Sequence, residues 1–285
     1  MDLQWSSAMQ QVYFKQVVLP VMNDARTDWE SESRLGFPFK VIRDEVIRKG
    51  LCDFDVGHSH PTYGSVTPSE KALLYCFCSM RAHFFEALSA FRHFHTVIDG
   101  LLARNGDKIF LDLGCGPGTA ALAFAEQFGP VEMGYVGIDC AKSMLDKAGE
   151  MLAAAKLQKL VAMSSPFIGS QTFDIAGRMA TGFSKATSIV INASYLFASH
   201  SLDISKICDV VLSLKNCTDV QQLIFVYINS PNTLAGKKYE TFKRRMHGQF
   251  TGDDQPWASI TFRKKIAGPD VGTSTYVRQL LVFKE

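Results

Sequence analysis

The order of apolar and polar residues divides the chain into two parts. Up to about residue 105 the pattern is mainly helical, and between Glu70 and Ala90 apolar residues cover nearly every face of a helix. Such a helix is expected to lie buried between two layers. Thr67 precedes Glu70 by three residues, the spacing of a capping box, which predicts where this helix begins. Glycine and proline predict a loop over residues 57–64.

After residue 105, short apolar runs alternate with helical segments. The predicted strands are 109–113, 134–138, 188–193 and 222–228, and the predicted helices are 119–128, 142–155 and 202–214. This alternation is typical of a parallel sheet covered by helices. Two final apolar runs, 258–266 and 275–283, have no helix between them, which predicts an antiparallel hairpin at the sheet edge.

Composition limits the class of protein. Of 285 residues, 47% are hydrophobic and 20% are charged, which excludes a mostly disordered or fibrous chain. No apolar run is long enough to span a membrane, and the N-terminus lacks the features of a signal peptide, so we expect a cytoplasmic protein. The seven cysteines form no C-x-x-C pair, which argues against disulfides and against zinc or iron–sulfur sites. The net charge of +2 does not by itself indicate nucleic-acid binding.

The segment 112–119 has the composition of a ligand-binding turn between a strand and a helix. Gly114, Gly116 and Gly118 would let the backbone turn tightly and a ligand lie against the main chain. The helix that follows offers free N–H groups. Asp112 suits a cationic part of a ligand better than a pyrophosphate. A purely structural turn and a nicotinamide site are the alternatives, although the spacing lacks the third glycine of the dinucleotide pattern.

A second acid, Asp139, ends the next predicted strand, 21 residues after Gly118. A carboxylate at this position can accept hydrogen bonds from both hydroxyls of a ribose. The glycines and the two acids together predict a site for a nucleoside with a cationic, zwitterionic tail. S-adenosylmethionine (SAM) is such a molecule.

Residues 109–230 resemble the class I SAM-dependent methyltransferases. Asp112-x-Gly114-x-Gly116-x-Gly118 matches the first motif of that family, and Asp139 matches its ribose-binding acid. The resemblance implies SAM as cofactor and an α/β fold, with a Rossmann-like, mostly parallel seven-stranded sheet and an antiparallel C-terminal hairpin. Residues 106–285 would form the SAM-binding domain, and residues 1–105 a helical cap that helps to select the substrate.

The same resemblance implies a set of cofactor-binding residues. They are Asp112, Gly114, Cys115, Gly116, Pro117, Gly118, Asp139 and Cys140. The family usually places an acid or amide near the adenine, in the loop after the third strand. Here residues 163–167 contain none, so Ser164, Ser165 and Phe167 are the alternatives, and Ser165 is included in the predicted site.

The predicted fourth strand ends in Asn192-Ala193-Ser194-Tyr195, at the position that faces the transferred methyl group in the family. Adenine amino methyltransferases have Asn or Asp, two prolines and an aromatic residue there. Asn192 and Tyr195 keep the outer pair and are the predicted catalytic residues, with Asn192 also close to the cofactor. The alternative is that both residues are structural.

A narrower resemblance is to the ribosomal small-subunit methyltransferase-like family. Buried helices with a Met80-Arg81 step lead into the glycine motif, and the fifth strand leads into residues 230–233. Arg81 is therefore included among the cofactor-binding residues. The cluster-binding cysteines of that family have no counterpart here.

Two further segments contain residues that bear on function. Cys52, Asp53, Asp55, His58 and His60 crowd together without ordinary metal spacing, so we expect an exposed loop or substrate lid and no metal. The basic residues of 237–245 follow the fifth strand, where an acceptor would enter. They predict contact with RNA, and a solvated face is the alternative. These basic residues are Lys237, Lys238, Lys243, Arg244 and Arg245.

The sequence thus predicts a SAM-dependent methyltransferase whose acceptor is not identified, with RNA favoured. One alternative is a non-catalytic binding or assembly module that retains the SAM fold. Another is a methyltransferase that acts on small molecules or proteins.

Overall fold

The structure, a computed structural model, describes most of the chain. The described residues are 5–27, 33–34, 36–47, 52–62, 64–129, 131–158, 167–169, 186–216, 220–231, 233–252, 257–263 and 271–283. In this part of the chain no helix is long and apolar enough to cross a membrane.

Ten helices are described. They are α1 (Ser7–Tyr13), α2 (Leu19–Met22), α3 (Phe39–Val41), α4 (Pro68–Tyr75), α5 (Arg81–His93), α6 (His95–Leu102), α7 (Thr119–Phe128), α8 (Lys142–Leu157), α9 (Ile204–Lys215) and α10 (Thr233–Arg245). Wider π-type turns continue three of them, over Phe14–Val18, Ile42–Val46 and Cys76–Met80, and a short 3₁₀ turn covers Leu196–Ala198.

The strands are described in the same way. They are β1 (Ser33–Arg34), β2 (Phe37–Pro38), β3 (His58–His60), β4 (Gly64–Val66), β5 (Asp107–Leu113), β6 (Gly134–Asp139), β7 (Phe167–Gly169), β8 (Ala186–Ser194), β9 (Gln222–Asn229), β10 (Phe250–Gly252), β11 (Trp257–Arg263) and β12 (Val271–Phe283).

One mixed sheet organises the molecule, with the order β10-β12-β9-β8-β5-β6-β7 and with β11 also paired to β12. The strands β5 to β9 pair in parallel, whereas β12 is antiparallel to β9, β10 and β11. The predicted Rossmann-like fold and its C-terminal hairpin are confirmed. The described sheet has eight strands, because the short β10, which has no periodic pattern to predict it, pairs with the end of β12.

Apolar side chains that alternate along the strands fill both faces of the sheet. On one face, Phe110 of β5 packs against Phe124 of α7, with ring centroids 4.6 Å apart. On the other, Phe225 of β9 stacks on Phe242 of α10 at 4.9 Å. Both faces are therefore covered, and the carboxyl ends of the parallel strands are left as the place for a ligand.

The N-terminal region packs on the α7 face. The predicted capping box is confirmed: the Glu70 amide donates to the Thr67 hydroxyl (3.3 Å), and the Thr67 amide donates to the Glu70 carboxylate (2.7 Å). Phe91 of α5 meets Phe124 of α7 at 5.3 Å, so the hydrophobic core continues across residue 105. The region 57–64, predicted as a loop, instead contains β3 and the first residue of β4.

Candidate cofactor and acceptor site

The glycine turn lies between the end of β5 and the start of α7. Gly114, Gly116 and Gly118 have φ angles of 68°, 51° and 78°, a region that disfavours residues with side chains. The Gly114 and Cys115 amides donate to the Ile138 carbonyl at 2.8 and 2.9 Å, which ties the turn to β6. A Cβ atom added to Gly116 would have no neighbour within 4 Å. This face of the turn is therefore open to a ligand.

Asp139 lies directly against that turn. Its carboxylate accepts the Gly116 amide (2.9 Å) through one oxygen and the Ala141 amide (2.9 Å) through the other. Burial raises the pKa of Asp139, and these two amides oppose the shift. Each carboxylate oxygen can accept a second hydrogen bond, so the group retains capacity for the two hydroxyls of a ribose. Cys140, the next residue, is exposed beside it.

Asp112 does not face the ligand space. Its side chain is 1% exposed and accepts hydrogen bonds from the Asn192 amide (2.7 Å) and the Tyr135 hydroxyl (3.3 Å). Burial raises its pKa to about 7. The expectation that Asp112 meets a cationic tail therefore disagrees with the geometry. The cause is register: Asp112 and Asn192 are paired positions on neighbouring parallel strands, so their side chains share one face.

Asn192 is fully buried, and its side-chain amide donates a hydrogen bond to the Asp112 carboxylate. Its side-chain oxygen accepts the Ser194 hydroxyl at 3.1 Å. The predicted contacts of Asn192 with cofactor and acceptor therefore also disagree with the geometry, because both polar atoms are engaged inside the protein.

The other predicted cofactor residues lie in different surroundings. Cys115 and Pro117 are buried and shape the turn. Arg81 is 9% exposed, and its guanidinium lies 5.1 Å above the Trp5 ring, on the side of the N-terminal helices. This contact packs Arg81 against the N-terminal segment, and its contact with the cofactor stays a prediction. Ser165 and Ser164 lie outside the described residues.

A segment predicted as a loop or lid meets the site. The Asp55 carboxylate accepts the Lys142 and Ser143 amides at 2.7 and 2.8 Å, and so caps α8 just after Asp139. These amides lower the pKa of Asp55, against the effect of partial burial. The Lys71 ammonium donates to the carbonyls at residues 53 and 56 (2.8 and 2.7 Å). We call residues 53–56 the strap.

The backbone of Tyr195 adopts the left-handed conformation, which is uncommon for residues with a side chain. Of the non-glycine residues that the structure describes, it alone has a positive φ, 61°. This conformation costs about 1–2 kcal/mol. Its amide donates to the Ile228 carbonyl (2.8 Å), and the next residue, Leu196, packs on Gly114, where an added Cβ would lie 3.0 Å from Leu196 Cδ1. Tyr195 therefore lies beside the glycine turn.

The Tyr195 side chain enters a network that the sequence did not predict. Its ring stacks on His83 with centroids 3.9 Å apart, and its hydroxyl donates to the Glu86 carboxylate, which also accepts the Ser274 hydroxyl. The Tyr75 hydroxyl and His83 Nδ1 lie 3.0 Å apart. We call this set the Glu86 network; its members are Tyr75, His83, Glu86, Tyr195 and Ser274.

Two members of this network have shifted ionisation. Glu86 is 2% exposed, and burial raises its pKa to about 7 although two hydroxyl groups donate to it. Burial lowers the pKa of His83 to about 4, so its imidazole is neutral at physiological pH. Burial also raises the pKa of Tyr75. The Tyr75 ring packs on Phe54 of the strap, with centroids 5.6 Å apart, and both belong to a cluster with Ala141, so the network extends to the segment that follows Asp139.

The basic segment 237–245 lies mostly in α10. Tyr239 stacks on Tyr227, and Phe242 stacks on Phe225, so α10 runs back along β9 and its last turn lies toward the amino ends of the strands. This position differs from the expected one at the cleft. The basic side chains also make internal contacts: Lys238 donates to the Ser199 carbonyl (2.5 Å), Lys243 pairs with Glu240 (2.6 Å), and Arg245 donates to the Ser205 hydroxyl (2.5 Å).

The glycine turn after β5 and Asp139 at the end of β6 lie together at the carboxyl edge of the parallel strands. Residues 110–186 match the family model described as "Methyltransferase domain". This match includes the glycine turn and Asp139. A search of the curated proteins finds no match.

Solved structures of methyltransferases are similar to this chain at low identity. A precorrin-6y C5,15-methyltransferase from Geobacter metallireducens is 11% identical over 68% of this chain and 88% of its own, with a TM-score of 0.44. A putative O-methyltransferase from Klebsiella pneumoniae is 12% identical over 72% and 80%, with a TM-score of 0.41. A putative RNA methyltransferase from Pyrococcus horikoshii is 12% identical over 76% and 85%, with a TM-score of 0.41.

Proposed function

We propose that this chain is a SAM-dependent methyltransferase that holds its cofactor between the glycine turn and Asp139. The main support is that Asp139 accepts the Gly116 amide at 2.9 Å while the position of a Gly116 side chain is open space. A nucleoside can then lie against the turn with its ribose hydroxyls on the carboxylate. When bound, SAM supplies a methyl group that its sulfonium already activates.

The residues of this chain would bind and orient the cofactor and would exclude water from the site. The first N–H groups of α7 lack partners within the helix and point at the turn, where they can meet the amino-acid end of the cofactor. The strap caps α8 beside Asp139 and fixes the ribose end. Alignment of acceptor and methyl donor, with removal of water, accounts for most of the rate that such a site must provide.

Isothermal titration with SAM and with S-adenosylhomocysteine tests this proposal. Asp139→Ala should weaken both ligands by about 1.5–3 kcal/mol, the range for hydrogen bonds to a charged group, or about 10- to 150-fold. Asp146→Ala is the matched control, since Asp146 is an exposed acid of α8 paired with Lys142. A folded wild-type protein that binds neither ligand would refute the proposal.

A non-catalytic SAM-fold module is the second candidate. It is favoured by Asn192, because both polar atoms of this predicted catalytic side chain are engaged inside the protein. Transfer of labelled methyl groups from SAM to a clarified cell extract separates the candidates. Incorporation that Gly116→Arg abolishes would exclude the non-catalytic module, and binding without incorporation would favour it.

RNA is the proposed acceptor, with contact through residues 237–245. Of the five basic residues, Lys237, Arg244 and Arg245 are exposed on α10 and can contact phosphates. Three phosphate contacts on single-stranded RNA predict that the logarithm of the affinity falls with the logarithm of the salt concentration with a slope of about −2. Filter binding of RNA at several salt concentrations, with wild type and with these three residues changed to Glu, tests the contact. Equal binding by both proteins would instead favour a protein or small-molecule acceptor.

A further inference from the structure

Glu86 is a buried carboxylate for which the proposed binding of the cofactor gives no role. It lies in α5, and its two oxygens accept the hydroxyls of Tyr195 and Ser274, which come from the segment after β8 and from β12. Three separate elements therefore converge on one acid that is 2% exposed. Keeping a carboxylate there is costly, since burial disfavours its charged form.

Tyr195 lies between this acid and the glycine turn. The residue is half-buried, its ring is held against His83 at an interplanar angle of 25°, and its backbone occupies the left-handed region. Strained backbone geometry of this kind persists where surrounding contacts fix it, and it concentrates at functional sites. Because Leu196 packs on Gly114, the backbone directly after Tyr195 is held against the glycine turn.

We propose that Tyr195 and Glu86 form a proton relay that removes the proton of the methyl acceptor. The proposal rests on the proposed methyl transfer. The acceptor X–H bond breaks and leaves its electron pair on X. That proton moves to the Tyr195 oxygen while the Tyr195 phenolic proton moves to Glu86. Glu86 ends neutral and Tyr195 is unchanged. The electron pair on X forms the bond to the methyl carbon, and the carbon–sulfur pair of the donor stays on sulfur.

The surroundings of Glu86 suit a group that gains and loses a proton near neutral pH. The groups that face it are hydroxyls, and burial raises its pKa to about 7. Arg278 of β12 directs its guanidinium to the Tyr276 hydroxyl (3.3 Å). His83 is neutral and supports the Tyr195 ring without competing for the proton. The titratable or polar groups around Glu86 are Tyr75, His83, Tyr195, Ser274 and Tyr276.

The relay can be observed without the cofactor. The chain has eight tyrosines, and labelling their ring Cζ carbons with ¹³C gives one NMR signal each. The signal lost in Tyr195→Phe belongs to Tyr195. Its chemical shift should change with pH in the wild type, with an apparent pKa of about 7, and should not change with pH in Glu86→Gln. Glu126→Gln is the matched control, since Glu126 also accepts two hydrogen bonds through both oxygens, from Ser6, and should leave the titration unchanged.

Methyl transfer and ligand binding then separate the two proposals. Glu86→Gln and Tyr195→Phe should bind S-adenosylhomocysteine as the wild type does, yet incorporate labelled methyl groups into a cell extract about 100-fold more slowly. Wild-type incorporation should rise as the pH passes through about 7, and this rise should be absent in Glu86→Gln. Normal incorporation by both variants, or a Tyr195 signal that does not respond to Glu86, would overturn the relay alone. A wild type that fails to bind S-adenosylhomocysteine would overturn the proposed function.

Discussion

Replacing Asp112 with Asn should stabilise the protein at neutral pH and leave its stability in acid unchanged. Asp112 is 1% exposed, and burial raises its pKa to about 7. The value in an unfolded chain is about 3.9. Between these values the folded protein keeps a proton that the unfolded chain releases. The contribution of Asp112 to the free energy of unfolding therefore falls as the pH rises from about 4 to about 7.

The size of the effect follows from the difference between the two pKa values. About three units, at about 1.36 kcal/mol each, give about 4 kcal/mol. Asn is neutral at every pH and keeps an oxygen that can accept the Asn192 amide, so it resembles protonated Asp112. The free energy of unfolding of Asp112→Asn should exceed that of the wild type by up to about 4 kcal/mol at pH 8. The difference should vanish near pH 4.

Urea unfolding of both proteins between pH 4 and 8 measures this difference. Comparison at each pH cancels the contributions of Glu86 and Asp139, whose pKa values are also raised. Asp146→Asn, an exposed change on α8, should give a small difference that does not vary with pH. An Asp112→Asn protein that is less stable than wild type at pH 8 would show that the carboxylate is stabilised as an anion. A large loss of affinity for S-adenosylhomocysteine would restore the predicted contact of Asp112 with the cofactor.

Three further substitutions test packing around the site. Asp55→Ala should cost about 1 kcal/mol in urea unfolding, because the first amides of α8 lose their cap; an unchanged midpoint would contradict the capping role, and Asp146→Ala, an exposed change on α8, is the control. Lys71→Met should lower the melting temperature, because two carbonyls of the strap lose a buried ammonium; an unchanged temperature would show that water replaces it. Phe242→Ala should cost about 3–5 kcal/mol in urea unfolding, because its fully buried ring stacks on Phe225, and a cost below about 1 kcal/mol would contradict that packing.

Local signals predicted the fold well. The helix 119–128 and the capping box at Thr67 depend on residues that are neighbours in sequence, and both are confirmed. Asp139 lies at the end of β6 and accepts the Gly116 amide, because the carboxyl ends of adjacent parallel strands meet at one edge of the sheet; its contact with a ribose stays a prediction.

The errors concern the direction of side chains on neighbouring strands. Asp112 and Asn192 were both assigned to the ligand, yet each satisfies the other inside the protein. The sequence contains a signal for this, since each residue directly follows three apolar residues of its strand. Two such residues at the same level of adjacent strands can form a buried pair, since an unpaired polar group would be costly there.

The long-range contacts could not be predicted from spacing. Glu86 and Tyr195 are separated by 109 residues, and Asp55 caps a helix 87 residues away. Neither contact follows from periodicity, because a helix pattern shows which face is buried and not which partner it meets. His83 and Glu86 lie in a helix whose apolar residues cover nearly every face, so no polar stripe marked them.

Through these contacts the N-terminal region supplies residues to the candidate site. Its strap supplies the cap of α8 beside Asp139, and its helix α5 supplies Glu86 and His83 to Tyr195. Both ends of the candidate site, Asp139 and the strained turn after β8, are therefore held by residues from before β5. The core also continues across residue 105, since Phe91 packs on Phe124. The two contacts act at different ends, since the strap lies next to Asp139 and α5 lies next to Tyr195. Substitution of Glu86 in α5 should therefore change methyl transfer and leave the affinity for S-adenosylhomocysteine as in the wild type.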